Sequence, residues 1–320
     1  MWKTIVRRLI ILIPQLVVLS LLIFFLASMM PGDALRGNIG PDVTMEQYMA
    51  MREAHGLNDP WYVQYFRWVG AIFQGDFGRS LTHNRPVTDL IGERMANTVR
   101  LSILTTLFTY ALAIPLGIIA ARKKGTIIDR SIMIYTFIAL SMPSLVLGLI
   151  NIMVFGFQLS IFPTMGSVDP TVASGSMAYW LSRIEHLILP ALTMALISTV
   201  AIIYFLRSEI IDNESSDFAI TARSKGVPQK RVYTKHILRN SLLPIAGGFG
   251  FIIVGLFTGA IFIERVFSFH GMGDLFFSSL VGRDFPVANV LIMFYAVMSI
   301  IGFLTTDILL SLIDPRIRIK

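Results

Sequence analysis

Residues 213–244, NESSDFAITARSKGVPQKRVYTKHILRNSLLP, hold most of what could do chemistry in this chain of 320 residues. Ser216 is a good N-cap, Asp217 suits the positive end of a helix dipole, and Gly226 suits the position just past a helix. The pattern predicts a helix over 217–225, about two and a half turns, with Phe218 and Ala222 on one face. Pro228 then opens a second helix that carries Lys230, Arg231, Lys235 and Arg239. So short and basic a helix lacks the apolar residues to fold alone, and something must hold it. Anionic headgroups would gain about 1 kcal/mol per cation. A protein groove is the other candidate, and the small side chain of Ala222 favours it, because a lipid-binding helix would carry large apolar residues there.

Catalytic chemistry has little to work with. No G-x-x-x-x-G-K-[ST] cradle for phosphates occurs, nor a G-x-S-x-G elbow. The histidines (His55, His83, His186, His236, His270) are scattered without an H-E-x-x-H. No catalytic residue and no metal-ligand set is expected. Glu185-His186 falls at a membrane boundary, where hydrogen-bonded polar residues are ordinary. With no cysteine, disulfides, thiolate catalysis and Cys-ligated metals are excluded. A net charge of +7 would suggest nucleic acid in a soluble protein. Here the cations flank apolar runs, so topology and partner contact explain them and no nucleic-acid partner is expected.

The elements that position these residues are membrane helices. The chain is 54% hydrophobic and only 15% charged, and apolar runs of about 18 residues or more read as spans. Six are expected, at 9–30, 99–121, 131–157, 187–207, 242–263 and 287–311, giving an all-α polytopic membrane protein. The run from Leu9 to Met30 is too long for a signal-peptide core and lacks a clear cleavage site, so it reads as an uncleaved first span. The expected organisation is a tail and first span over 1–30, an extracytoplasmic segment over 31–98, a five-helix core over 99–311 that includes the loop 208–241, and a tail over 312–320. Placing both termini, 122–130 and 207–241 on one side gives that side 17 Lys/Arg against 6 acids, net +11, and the other side net −3, with Asp307 inside the last span. The positive-inside rule makes the first side cytoplasmic.

Within the spans, Pro14, Pro115, Pro143 and Pro190 read as kinks or hinges. The fifth span is glycine-rich. Gly247, Gly248, Gly250, Gly255 and Gly259 read as helix packing or as a pathway wall, with Gly255 and Gly259 as a G-x-x-x-G pair. Asp307 reads as an interhelical hydrogen bond or a pathway residue. A single intramembrane acid and no repeat argue against a stand-alone secondary transporter, and no catalytic pair in the spans supports an intramembrane enzyme. In the outer segment, Thr44-x-x-Gln47 is a capping box, Gly56 ends that helix, and Asp59-Pro60 opens an aromatic one containing Trp61, Tyr65 and Trp68. These helices read as a cap over the bundle or a docking surface.

The stretch Thr221-Ala222-Arg223-Ser224-Lys225-Gly226, with Leu243-Pro244 downstream, resembles the cytoplasmic-loop motif of ATP-binding-cassette import permeases, oligopeptide/dipeptide/nickel branch. The resemblance runs over nearly the whole chain. It includes Pro31-Gly32-Asp33, Gly75-Asp76-Phe77-Gly78-Arg79-Ser80, Leu189-Pro190-Ala191-Leu192, Glu264-x-Val266-Phe267, Arg283-Asp284-Phe285-Pro286 and Asp314-Pro315-Arg316. Two departures stand out: Ile220-Thr221 replaces an acidic residue found in many import permeases, and His270 replaces an expected proline. The resemblance implies a type I importer permease fold in the cell membrane, and a subunit that forms half of a pathway for peptides, or for nickel or another small solute. The implied partners are a second permease subunit, two cytoplasmic ATPases that bind ATP and Mg²⁺, an extracytoplasmic solute-binding protein and membrane lipid; this chain itself would hold no cofactor. The coupling residues would be Phe218, Ala219, Thr221, Ala222, Arg223, Lys225 and Gly226. Asp76, Gly78, Arg283 and Asp284 would help dock the binding protein.

Overall fold

Apolar runs set the long helices, and proline and glycine set where they stop. The computed structural model describes residues 2–29, 44–54 and 56–313. Pro31-Gly32-Asp33, His55 and Asp314-Pro315-Arg316 lie outside the described residues. The helices are α1 (Trp2–Met29), α2 (Met45–Ala54), α3 (Trp61–Phe73), α4 (Val87–Arg122), α5 (Ile127–Ser141), α6 (Ser144–Asn151), α7 (Met177–Glu214), α8 (Asp217–Ser224), α9 (Gln229–Arg231), α10 (Leu238–Gly247), α11 (Phe249–Thr258), α12 (Ile261–Val266), α13 (Met272–Val281) and α14 (Phe285–Ile313). Wider π-helical turns continue α6 over Ile152–Gln158 and join α9 to α10 over Val232–Ile237.

Among the described residues, Val87–Arg122, Met177–Glu214 and Phe285–Leu309 are each long and apolar enough to cross a membrane, and α5 with α6 makes a fourth if taken as one broken span. α1 has 28 residues and carries the apolar run Ile13–Leu26. α4 and α7 have 36 and 38 residues, about 54 and 57 Å long against a hydrocarbon layer of roughly 30 Å. Both therefore extend well past the spans expected from apolarity alone.

Two expected spans are not single helices. The third, 131–157, bends by 106° between α5 and α6. Pro143 forces this: Met142 before it takes an extended conformation (φ −88°, ψ 122°), as a residue preceding proline does. Pro14, Pro115 and Pro190, in contrast, sit inside continuous helices. The fifth span, 242–263, is divided among α10, α11 and α12. Gly259 (φ 74°, ψ 178°) ends α11 in a conformation that only glycine adopts without strain, and the Ala260 N–H donates to the Glu264 carboxylate at 3.3 Å. Irregular backbone at this depth is tolerated when the protein itself satisfies it.

α4 and α7 form the spine. Small residues let them approach: Ala113, Ala120 and Ala121 on α4, and Ala191 and Ala195 on α7, are buried. A Cβ on Gly117 would lie 3.2 Å from the Leu206 side chain. Buried polar bonds tie neighbours to this spine, Asn151 to Thr193 at 2.8 Å and the Tyr135 hydroxyl to the Leu196 carbonyl at 2.8 Å. α1 packs on α14 and α3, and α11 packs on α14 and α4. The capping box at α2 is reciprocal, with Thr44 N–H to Gln47 Oε1 at 3.0 Å and Gln47 N–H to Thr44 Oγ1 at 3.3 Å.

Candidate functional site

α8 follows α7 after only Ser215 and Ser216. Ser216 has the extended backbone of an N-cap (φ −71°, ψ 152°). Its hydroxyl, however, donates to the Asn213 carbonyl at 2.7 Å instead of capping α8, because the short connection leaves the last carbonyls of α7 within reach. The far end of α8 closes as the sequence suggests. Gly226 takes φ +73°, its N–H meets the Arg223 carbonyl at 2.9 Å, and the Val227 N–H meets the Ala222 carbonyl at 3.2 Å. This is a Schellman closure, which wants glycine at its left-handed residue.

The orientation of α8 corrects one expectation. Ala219 and Ala222 are buried, 0% and 7% exposed, and they face inward onto Ala121 of α4, Leu206 and Ile210 of α7, and Val232, Tyr233 and Ile237 of the π-helical turn. The small face admits the chain's own helix ends, so Ala222 does not point to a partner. Phe218 is 37% exposed, and Thr221 and Lys225 are exposed with it, at the spacing of one helix face. Arg223 donates to the Glu214 carbonyl at 3.0 Å and closes the end of α7. Beside the cluster, Arg122 stands 5.2 Å over the Tyr233 ring, whose hydroxyl burial pushes up to about 12.

A charge pair that the sequence reading did not single out stands between α5 and α7. Arg207 donates to Asp129 through Nε at 2.7 Å and Nη2 at 2.8 Å, and the Gly125 N–H adds a third bond at 2.9 Å. The Arg207 hydrogen bond holds the Asp129 carboxyl below the usual carboxylate range, and burial opposes it. The two residues lie 78 positions apart, so no local spacing announces the pair.

At the end of the bundle away from α8, the motifs around Asp76 and Asp284 meet one another. Asp76 accepts the Gly78 N–H at 2.9 Å in a tight turn whose glycines, Gly75 and Gly78, both take φ +80°. Asp284 is 1% exposed. It accepts from the Ser80 hydroxyl and from the N–H groups of Leu81 and Thr82, both at 3.1 Å. It is a staple between distant segments and offers nothing to a docking partner. Asp76 and Arg283 are exposed, and Gly78 is half-buried. Nearby, the buried Glu264 accepts from the Thr98 hydroxyl at 3.1 Å, the Asp274 N–H at 2.9 Å and Ala260. A Cβ on Gly259 would stand 2.5 Å from its carboxylate and one on Gly271 2.4 Å. Gly259 thus serves this carboxylate and not a G-x-x-x-G helix pair.

Gly255 has open space where a side chain would go, and its carbonyl accepts from Ser102 at 3.1 Å. The close helix crossing lies instead at Gly250 and Gly302, between α11 and α14. Gly247 ends α10, Gly248 follows it (φ −77°, ψ −5°), and Asp307 is half-buried in α14. A cleft of about 730 Å³ includes Asp169, Glu185, His186 and His270 in its lining. His186 Nδ1 lies 2.7 Å from the Ser182 carbonyl. Among the described residues no three His, Asp or Glu are grouped to hold a metal ion.

Residues 113–319 match the family described as "Binding-protein-dependent transport system inner membrane component", and residues 1–102 match its N-terminal companion. The chain is 37% identical over 315 residues, 98% of each chain, to the oligopeptide transport system permease protein AppB of Bacillus subtilis (strain 168). It is 33% identical over the full length of each chain to the dipeptide transport system permease protein DppB of Lactococcus lactis subsp. cremoris (strain MG1363). The same identity and coverage hold for the glutathione transport system permease protein GsiC of Escherichia coli (strain K12). Its fold is similar to that of a chain of the inward-facing MetNI methionine ABC transporter, with TM-score 0.55 at 12% identity over 71% of this chain and 97% of that one. The chain is a member of the binding-protein-dependent transport system inner membrane component family.

Proposed function

We propose that this chain is one of two membrane subunits of an ATP-driven importer for peptides, coupled to cytoplasmic ATPases through α8. The observation that carries the coupling is the placement of α8. It hangs from the end of α7, turns Ala219 and Ala222 into the chain and leaves Phe218, Thr221 and Lys225 outward. Close-packed interiors yield little under load, so a push on the exposed face would move the ends of α4 and α7 together. The relatives named for oligopeptide, dipeptide and glutathione transport support peptides as cargo.

Both termini and residues 208–241 face the cytoplasm in this reading, with six spans in the cytoplasmic membrane, for which the +11 against −3 charge asymmetry speaks. The second permease subunit completes the pathway, the ATPases hold ATP and Mg²⁺, and a binding protein delivers substrate from outside. The test is uptake into proteoliposomes that hold the four-subunit complex, with the binding protein added outside and ATP inside. Labelled dipeptides and oligopeptides should accumulate only with ATP. Accumulation of nickel in place of peptides would overturn the cargo, and uptake without ATPase subunits would overturn the coupling.

A further inference from the structure

α3 is 13 residues long, and its faces differ. Trp61, Tyr65 and Trp68 form the face that packs on α1: the Phe24 ring lies 5.6 Å from Tyr65 and 5.7 Å from Trp68, and Phe25 lies 5.5 Å from Trp61. The Tyr65 and Ser20 hydroxyls are hydrogen-bonded at 2.8 Å, and this contact is buried. Ser20 lies inside the apolar run Ile13–Leu26, so the bond fixes how deep α3 sits against α1.

The next face round the helix carries Tyr62, Phe66, Val69 and Phe73. Among the described residues nothing covers most of it, with Phe66 70% and Phe73 87% exposed. The remaining side carries Gln64 and Arg67 together with Val63, Gly70 and Ala71. Gln64 and Arg67 fold back to the segment before the helix, Gln64 Nε2 to the Asp59 carbonyl at 2.7 Å and Arg67 to the Asp59 carboxylate at 2.5 Å. The helix therefore has an apolar arc, half against α1 and half bare, and a polar arc whose groups are drawn away from the bare stripe. An amphipathic helix of this kind, with aromatic residues on its apolar side, lies in the plane of a membrane interface.

We infer that α3 lies in the outer leaflet, with the Tyr62, Phe66, Val69 and Phe73 stripe covered by lipid acyl chains. α1, on which α3 packs, also carries exposed apolar residues, Val17, Val18, Leu22 and Leu26. The depth set by Ser20 and Tyr65 places it against hydrocarbon. The inference rests on the reading of α1 as a membrane span with its N-terminus in the cytoplasm.

Nitroxide labels on single cysteines test it, in a chain that has none of its own. Phe66→Cys, Phe73→Cys, Arg67→Cys and Val18→Cys are labelled in the full complex, in vesicles of phosphatidylethanolamine and phosphatidylglycerol. Labels at 66 and 73 should collide several-fold more often with oxygen than with a water-soluble nickel chelate, and the label at 67 should show the reverse. Water-like behaviour at 66 and 73 with lipid-like behaviour at 18 would overturn the inference alone. Water-like behaviour at 18 would overturn the reading of α1 as a span. Shielding of 66 and 73 from both agents, with or without the binding protein, would put protein on the stripe and also overturn the inference.

Discussion

Two glycines five residues apart in α11 should respond to the same substitution with opposite sign. A Cβ built on Gly250 would stand 1.8 Å from Thr306 Oγ1 and 2.1 Å from the Gly302 carbonyl oxygen. The threonine can rotate away, but the carbonyl is backbone of α14, so the two helices must part. Overpacking of this kind costs about 1–3 kcal/mol, against a gain of up to ~1 kcal/mol from replacing glycine in a helix. A clash of 2.1 Å with backbone puts the cost at the upper end of that range, so Gly250→Ala should destabilise the subunit by about 2 kcal/mol. A Cβ on Gly255 meets nothing within 4 Å, so only the helix-propensity gain remains, and Gly255→Ala should be neutral or stabilising by up to ~1 kcal/mol. Thermal denaturation of the isolated subunit in detergent, followed by size-exclusion chromatography, reads both variants against the parent chain. Equal damage from the two substitutions, or a harmless Gly250→Ala, would refute the packing argument.

Other substitutions separate local roles. Asp129→Asn leaves Arg207 without its carboxylate and should cost about 1–3 kcal/mol, less than the ~3–5 of a fully buried pair because the Arg207 side chain is 23% exposed. The folded-state pKa of Asp129 is depressed, so the pair's contribution is complete above the ordinary carboxylate value, roughly pH 4, and is lost as pH falls through the lower folded value. The stability gap between parent and Asp129→Asn, read by melting at several pH values, should stay constant from neutral to mildly acidic pH and close below that. Ala222→Trp should unseat α8 within the isolated subunit, seen as easier proteolysis of 213–228, whereas Phe218→Ala should leave the subunit's melting unchanged and weaken retention of the ATPases on purification. Asp284→Ala strands two N–H groups and the Ser80 hydroxyl, and should cost about 2–4 kcal/mol, measured as a lower melting temperature of the subunit.

Signals that depend on a few neighbouring residues were legible in the sequence. The capping box at Thr44 and Gln47, the glycine closure of α8 and the helix opened at Asp59-Pro60 each rest on local backbone chemistry, and each is in the structure. The turn of Gly75–Ser80 and the Arg283-Asp284 segment were found as motifs. That Asp284 joins them needed the fold, because a buried acid and a docking acid look alike in sequence. The same limit applies to α8. Helical spacing groups Phe218 with Ala222, but only the ends of α4 and α7 decide that Ala219 and Ala222 turn inward. An unbroken apolar run concealed the division of the fifth span, since the carboxylate that stabilises the break, Glu264, comes after the run ends. The Asp129–Arg207 pair spans two helices and left no periodic trace.

The coupling role of α8 is tested most directly by a single cysteine in place of Thr221, on the exposed face of that helix, in the otherwise cysteine-free chain. Thr221→Cys in the assembled complex should cross-link to an ATPase subunit with a short bifunctional reagent, and the cross-link should stop ATP-driven peptide uptake. Absence of any ATPase adduct, with the introduced thiol modified from outside intact cells by a membrane-impermeant maleimide, would contradict both the orientation and the coupling.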